Sequence, residues 1–251
     1  MEGVHLGTMG WSYDFWIGNF YPEEASPDSF LAEYAKHYHT VEVNSTFYRI
    51  PSKRTVKNWY SQTPEKFIFS MKFPRAITHQ KRLDAGAEKM EIFLKNISNL
   101  GDKLGPLLLQ FPPQFKAQSH LALKDFLKSL PRGHLYAVEF RDKRWLTDEI
   151  FETLMDNGVA LVLVDNSCMP TLEEVTSSFV YLRWQGDRRQ VKGDTGSIEL
   201  DRGEDLKRWA ESIKGFLERP VEVYGYFSKF FSGHPPTDVK QLLEYCKIIV
   251  K

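Results

Sequence analysis

The stretch A-L-V-L-V-D at residues 160–165 is apolar over five positions and ends on an aspartate. The stretch L-L-L-Q-F at residues 107–111 has the same character, with a single polar residue near its end. Runs this apolar are too hydrophobic for a strand with one face in water, and they are typical of parallel sheets covered on both faces. The two stretches therefore predict an α/β protein with a buried parallel sheet.

Eight short apolar runs alternate with amphipathic helical patterns along the chain. The runs lie at residues 4–8, 40–45, 67–72, 107–111, 135–141, 161–165, 179–184 and 221–227. Capping signals mark some of the helical patterns, such as Ser26 before Pro27, and Thr171 with Glu174 after the sixth run. Eight β/α units in 251 residues predict one domain over residues 1–251, a single (β/α)8 TIM-like barrel. An open doubly wound sheet is the alternative, but no G-x-G-x-x-G follows any run.

The composition is that of an ordinary globular protein, with 42% hydrophobic and 26% charged residues. Lysine and arginine together number 33, as do aspartate and glutamate, and this balance argues against the simplest electrostatic case for nucleic-acid binding. Cys168 and Cys246 form no motif and are interpreted as free thiols of a reducing compartment. Residues 1–11 lack the pattern of a signal peptide, and no apolar stretch has the length of a membrane span. We therefore expect a cytoplasmic protein without membrane contact, and no feature specifies an oligomeric state.

Charged residues indicate which face of each strand lines the barrel lumen. Side chains alternate between the lumen and the helices, and an unpaired charge under a helix is costly. This rule turns inward four candidate catalytic residues, Glu42, Lys72, Glu139 and Asp165. It also turns inward four candidate substrate-binding residues, Asn44, Gln110, Arg141 and Arg183. All of them lie at or near the C-terminal ends of their strands, which is the catalytic end of such barrels.

Two interpretations of this convergence are open. In the first, Glu139 or Glu42 is a general base, Asp165 is a second acid, and Lys72 is an alternative Schiff-base nucleophile if its pKa is lowered. In the second, the charges form a satisfied network of buried ion pairs, such as Glu139 with Arg183, that only fixes the strand register.

The loops that follow the strands are rich in basic and aromatic residues. The basic residues are Arg75, His79, Lys81, Arg82, Lys143, Arg144, Arg188, Arg189 and Lys192. Their gathering around one mouth predicts an anionic ligand. Aromatic candidates for stacking on a sugar or base are Trp11, Tyr13 and Tyr48. The end of the eighth run adds the candidates Tyr226, Ser228 and Lys229, and the nearby glycines, Gly186 among them, leave room for a backbone approach to a phosphate.

The leading hypothesis is an enzyme that carries out acid–base chemistry on a small anionic substrate, such as a phosphorylated sugar or a nucleotide. Its reaction class is open between hydrolase, lyase and isomerase. One alternative is a barrel that binds or processes nucleic acid through its basic loops, and another is a non-catalytic metabolite-binding barrel. A divalent metal on Glu42, Glu139, Asp165 and a histidine is an open alternative that no H-x-x-x-H spacing supports, so no metal site is assigned and the cofactor stays unknown.

Several long motifs resemble those of the DUF72 or YecE-like family. They are G-T-M-G-W-S-Y (7–13), F-Y-P (20–22), V-E-V-N-S-T-F-Y-R-I-P (41–51), F-x-F-x-x-K-F-P-R-x-I-T-H (67–79), L-L-L-Q-F-P-P-x-F (107–115), Y-A-V-E-F-R (136–141) and Y-L-R-W-Q-G (181–186). The resemblance runs from residue 7 to about residue 240 and implies a TIM barrel, with fold-level analogy to sugar isomerases and to endonuclease IV-type DNA-repair enzymes. The family's usual Asn-Asn pair after the last strand is replaced here by Ser228 and Lys229, so a ligand bound by that pair would meet different chemistry.

Overall fold

The computed structural model describes residues 2–79 and 86–249, and its strands close into a barrel. The strands are β1 (Val4–Met9), β2 (Thr40–Val43), β3 (Ile68–Lys72), β4 (Leu104–Gln110), β5 (Tyr136–Glu139), β6 (Ala160–Asn166), β7 (Phe179–Gly186) and β8 (Glu222–Phe227). Each strand pairs in parallel with the next, and β8 pairs with β1. Every predicted run overlaps one strand, so the predicted (β/α)8 barrel is confirmed.

The helices surround the barrel, although they are not distributed one to each strand. They are α1 (Phe30–Ala35), α2 (Lys53–Ser61), α3 (Arg75–Thr78), α4 (Ala87–Ile97), α5 (His120–Ser129), α6 (Asp148–Asp156), α7 (Gly203–Leu217) and α8 (Pro235–Ile249). Both α3 and α4 follow β3, while α1 begins at Phe30 rather than directly after Ser26. No helix within the described ranges is long and apolar enough to cross a membrane.

The helix predicted from Thr171 and Glu174 is wrong, because residues 167–178, all of them described, contain no helix. The segment instead packs directly on the barrel through the half-buried Leu172 and Val175. At its end the Thr176 hydroxyl accepts the N–H of Leu161 at 2.7 Å and donates to the carbonyl of Val159 at 2.8 Å. The hydrogen bonds that the Thr176 hydroxyl forms at the start of β6 therefore outweigh the capping signal of Thr171 and Glu174.

The barrel has two separate apolar clusters, one between strands and helices and one inside the lumen. Val41, Val43, Phe69 and Val138 belong to the cluster under the helices, as the alternation of charges predicts. The lumen cluster consists of Met9, Leu108, Ala137, Ala160, Val162, Val164, Phe179, Tyr181, Tyr224 and Tyr226. The lumen is thus a packed core whose polar residues lie toward one end.

Tyr34 of α1 ties the first two strands together. Its buried hydroxyl accepts the backbone N–H of Thr8 at 2.9 Å and donates to the carbonyl of Thr40 at 3.0 Å. Gly7 allows this close approach, since a Cβ there would lie 2.2 Å from the Thr40 carbonyl oxygen. The pairing of β1 with β2 therefore depends on a glycine and on one tyrosine hydroxyl.

We predict that Tyr34→Phe lowers the free energy of unfolding by about 2 kcal/mol, because it leaves a buried N–H and a buried carbonyl without their shared partner. Denaturant unfolding measures the difference. Tyr48→Phe is the matched control, since this side chain is 77% exposed and its change stays within about 0.5 kcal/mol. Equal effects of the two substitutions would contradict the role given to the Tyr34 hydroxyl.

Candidate functional site

A buried ion pair between β2 and β7 forms the floor of the barrel mouth. Glu42 is fully buried and Arg183 is 4% exposed. Arg183 binds Glu42 in a bidentate manner, with Nε donating to Oε2 at 2.9 Å and Nη2 donating to Oε1 at 2.8 Å. Asn44 and Tyr181 donate to the two remaining positions on the carboxylate, each at 2.8 Å. Glu42 therefore accepts four hydrogen bonds and is left no open position for a substrate proton.

Glu139 of β5 is the second carboxylate of this network, and Nη1 of Arg183 donates to its Oε2. Its Oε1 accepts the side-chain amides of Gln110 at 2.7 Å and Gln185 at 2.9 Å. Burial raises the pKa of Glu139, but the positive charges of Arg183 and Lys72 together with the hydrogen bonds from Arg183 and Gln185 outweigh burial, so the net direction is downward. Glu139 is therefore a buried carboxylate held in its ionised form, with lone-pair capacity left on Oε2.

Lys72 ends β3 beside this network. Its Nζ donates to Oε1 of Gln110 at 2.9 Å and lies 4.4 Å from the centre of the Phe47 ring. Burial, followed by the positive charge of Arg183, lowers the pKa of Lys72 from 10.5 to about 8, against the opposing pull of Glu139 and Glu42. The amine is therefore mainly protonated at pH 7 and becomes mainly neutral above pH 8.

A second polar layer lies below the ion pairs, deeper in the lumen. The Tyr181 hydroxyl that donates to Glu42 also lies 2.6 Å from the Ser70 hydroxyl. The hydroxyls of Tyr226 and Thr40 lie 2.9 Å apart, and both residues are buried. Tyr226, a candidate substrate-binding residue, is therefore enclosed beneath the network rather than open to the mouth.

The inward direction predicted for Asp165 is wrong. On β6 it is Val162 and Val164 that join the lumen cluster, while Leu161 and Leu163 lie under the helices. Asp165 shares the outward parity, and its Oδ2 accepts the indole N–H of Trp209 in α7 at 2.7 Å. The rule that a charge must avoid the helix side fails here because α7 supplies a donor for the carboxylate.

The remaining candidates form the rim of the mouth. Arg75 and Arg141 are exposed, and Lys229 is half-buried with its amine 5.3 Å from the centre of the Phe15 ring. His79 is half-buried and packs edge-on against Phe47. Burial, followed by the charges of Lys72 and Arg75, lowers the pKa of His79, so it is a neutral imidazole rather than a further cation at pH 7.

Aromatic rim residues divide into buried and exposed ones. Tyr48 is the most exposed, and its ring packs edge-on against Phe47 at 5.2 Å. Tyr13 is half-buried, and its hydroxyl donates to the Met9 carbonyl at 2.7 Å. Trp11 packs edge-on against Trp59 at 5.8 Å. Of the three, Tyr48 is the one whose ring is mainly available for stacking on a ligand.

Part of the predicted positive charge of the rim is neutralised internally. Arg144 pairs with Asp142 at 2.7 Å, and Arg189 pairs with Asp187. Each arginine is thus neutralised by the aspartate two residues before it in the sequence. Lys81 and Arg82 lie outside the described residues. The rim is therefore less cationic than its composition indicates.

The loops after β7 and β8 pack against each other and leave no backbone cradle at Gly186. Its φ is 63°, and a Cβ at this position would lie 2.0 Å from the Phe230 carbonyl oxygen. The hydroxyl of Ser228 accepts the N–H of Phe230 at 3.3 Å in the same contact. Gly186 thus serves the packing of two loops and offers no backbone approach to a phosphate.

Sequence reasoning overlooked Gln185 and Phe47. Gln185 shares the inward parity of Arg183 and completes the partners of Glu139, so the alternation rule would have found it. Phe47 lies in a short 3-10 helix after β2 and faces Lys72, which strand parity cannot show. Across residues 2–79 and 86–249, no group of three or more His, Cys, Asp or Glu side chains is arranged to hold a metal ion.

We predict that the stability of Lys72→Met relative to the parent protein is greater below pH 8 than at pH 10. Below pH 8 Lys72 is charged in both the native and the unfolded state, so the parent protein bears the full cost of burying the ammonium. Between pH 8 and 10.5 the proton is bound only in the unfolded state, and this loss of stability shrinks as the pH rises. The stability difference between variant and parent therefore falls by about 2 to 3 kcal/mol from pH 7 to pH 10.

Denaturant unfolding of both proteins at the two pH values checks this prediction. Lys124→Met is the control, because Lys124 lies exposed on α5 and its difference stays constant. A pH-independent difference for Lys72→Met would show that its amine is an ordinary solvated ammonium.

Comparisons with known proteins bear on the identity of this chain. The UPF0759 protein YecE of Escherichia coli strain K12 is 32% identical over 156 residues, which cover 62% of this chain and 55% of YecE. The match thus spans about half the length of that relative. The UPF0759 protein YunF of Bacillus subtilis strain 168 is 24% identical over 272 residues, covering 98% of this chain and 95% of YunF.

A solved structure and a family model extend the likeness over the whole barrel. The structure of a DUF72 family protein from Thermotoga maritima has 28% sequence identity and a TM-score of 0.79, and the match covers 99% of each chain. The family model described as "Protein of unknown function DUF72" matches residues 5–250. Because this model covers nearly the whole sequence, the chain belongs to the DUF72 family.

Proposed function

We propose that the protein is an enzyme that carries out acid–base chemistry on a small anionic substrate at the C-terminal mouth of the barrel. The observation that carries the proposal is the convergence of polar side chains from five strands in one hydrogen-bonded network. The members are Glu42, Lys72, Gln110, Glu139 and Arg183. The network lies at the end of the barrel where such folds carry out chemistry.

The hydrogen bonds divide the network into positioning residues and residues free to react. Arg183 directs Nε and both terminal nitrogens at the carboxylates, so we assign it to positioning them rather than to holding the substrate. Glu42 is saturated in the same way. Lys72 and Glu139 keep unused hydrogen-bonding capacity, and we propose that they, rather than Glu42 and Arg183, are the groups that react with the substrate.

The charges of the rim support an anionic substrate. Arg75 and Arg141 are exposed, and neither forms an ion pair with another described residue at 4.0 Å or less. Lys229 adds a third cation on the opposite loop. Three cations above a network that contains two carboxylates favour a ligand whose negative group stays at the rim while its reacting part reaches Lys72. A phosphorylated sugar or a nucleotide has this form.

The location of the protein is a further proposal. Cys168 is exposed and Cys246 is buried, and both are free thiols. An exposed free thiol persists in a reducing compartment, so we assign the protein to the cytoplasm.

We predict that a phosphorylated sugar or a nucleotide raises the melting temperature and that Arg141→Ala weakens this binding about tenfold or more. A ligand at 100 times its Kd adds about 2.7 kcal/mol, which is a shift of roughly 5 to 10 °C for a chain of this size. Loss of one charge-assisted hydrogen bond accounts for the weaker binding. Thermal unfolding against a panel of such compounds and short oligonucleotides, at two salt concentrations, measures the effect.

Arg132→Ala is the matched control, because Arg132 is an exposed arginine that precedes β5 at the other end of the barrel. It leaves every ligand shift unchanged. A shift with oligonucleotides alone that disappears at high salt would replace the small-substrate proposal with a nucleic-acid one. Equal losses in the two arginine variants would remove the argument that the mouth binds the anion.

A further inference from the structure

Two buried lysines of this protein differ in how their amines are satisfied. Lys103 precedes β4 and is 3% exposed; its Nζ donates to the Tyr60 carbonyl at 2.7 Å and to the Thr63 carbonyl at 2.8 Å, and lies 3.2 Å from the Thr63 hydroxyl. Lys72 is 8% exposed, and its Nζ donates to one acceptor among the described residues, the neutral amide oxygen of Gln110. An ammonium has three N–H donors, so Lys103 is satisfied as a cation and Lys72 is not.

The surroundings of Lys72 also favour an uncharged amine. Arg183 of β7 and Arg141 after β5 oppose its positive charge, while Glu139 and Glu42 favour it, and His79 on the following turn is itself neutral at pH 7. Burial is the largest cause of the lowered pKa of Lys72, and the Phe47 ring contributes to it by covering one side of Nζ, although the face of that ring attracts the ammonium form. The balance leaves Lys72 with a pKa of about 8, within reach of neutral pH.

We propose that Lys72 is a nucleophile that forms a Schiff base with a carbonyl group of the anionic substrate. The inference rests on the proposed function and narrows its substrate class to aldehydes or ketones that carry a carboxylate or a phosphate. A free amine at the floor of the mouth, with cations on the rim above it, matches a molecule with a carbonyl at one end and a negative group at the other.

The step balances without any oxidant or reductant. The neutral amine attacks the carbonyl carbon, a C–N bond forms, and the carbonyl π electrons move to oxygen, which takes up a proton as the nitrogen loses one. The resulting carbinolamine takes up a second proton on its hydroxyl and expels water, which leaves a protonated imine. Overall, one neutral amine, one carbonyl and one proton taken from solvent give one protonated imine and one water. Glu139 joins this site through the Gln110 amide, and its negative charge stabilises the iminium.

Trapping with borohydride tests the inference directly. The purified protein is incubated with glyoxylate, and separately with acetaldehyde as the uncharged analogue, in the presence of borohydride, and modified lysines are located by peptide mass spectrometry. We expect Lys72 to be alkylated at least tenfold faster than Lys103 and the exposed Lys124, with a rate that rises to a plateau through pH 8. Labelling of Lys72 no faster than of Lys124, or a rate that still climbs above pH 10, would overturn the inference.

The two aldehydes separate this inference from the proposed function. If the ratio of the glyoxylate rate to the acetaldehyde rate is higher at Lys72 than at Lys124, the result supports both the Schiff base and the anion site. Equal preference supports the Schiff base and counts against the anionic substrate. Absence of a Lys72 adduct, together with a thermal shift by a phosphorylated compound, counts against the Schiff base alone.

Gln110→Met tests whether the Lys72 amine itself reacts, because a lysine with only a structural role would show no change in trapping. The substitution removes the acceptor of Lys72 among the described residues without placing a second carboxylate beside Glu139, so the ammonium form loses support and the pKa of Lys72 falls. We expect the pH midpoint of trapping to move downward by about one unit and the rate at pH 7.5 to rise about threefold. Unchanged trapping in a variant that still folds, as judged by its thermal unfolding, would overturn the assignment.

Discussion

The guanidinium of Arg183 is the interaction on which the upper half of this barrel depends. It joins a carboxylate from β2 to one from β5 across the lumen, with all three groups removed from water. Charges buried in this way are tolerated only when every partner is present, since removal of one leaves an uncompensated charge worth about 3 to 5 kcal/mol. The surrounding amides and hydroxyls are therefore constrained in turn. The position of the Lys72 amine follows from that chain of constraints through Gln110.

The same network agrees with the structural interpretation and leaves room for the catalytic one. The pairs of Glu42 and Glu139 with Arg183 are the register-fixing network of the structural interpretation. The structural interpretation does not account for Lys72, which is a buried amine without a carboxylate within 4.0 Å among the described residues. A barrel that only needed its strands aligned would gain stability from an apolar residue at this place.

Alternation of charged and apolar residues predicted most of the fold and most of the floor of the site. It predicted the inward direction of Glu42, Lys72 and Glu139 because the residues beside them are strongly apolar. It failed at Asp165, where the deciding group is the indole N–H of Trp209, located more than forty residues later in the chain. The sequence could not predict the role of each residue within the network, because that role depends on which lone pairs already accept a hydrogen bond.

The segment at residues 167–178 makes one part of the outer layer of this barrel non-helical. Helices cover most of the outer face of the strands, and α7 reaches Asp165 of β6 through Trp209. Beside them, Leu172 and Val175 belong to chain that packs on the barrel without hydrogen-bonded helical turns. Local opening costs least where few backbone hydrogen bonds must break together. Amide protons of this segment should therefore exchange with solvent well before those of α7 or α8. An evolving relative can also lengthen or replace this segment without rebuilding the ion pairs at the mouth.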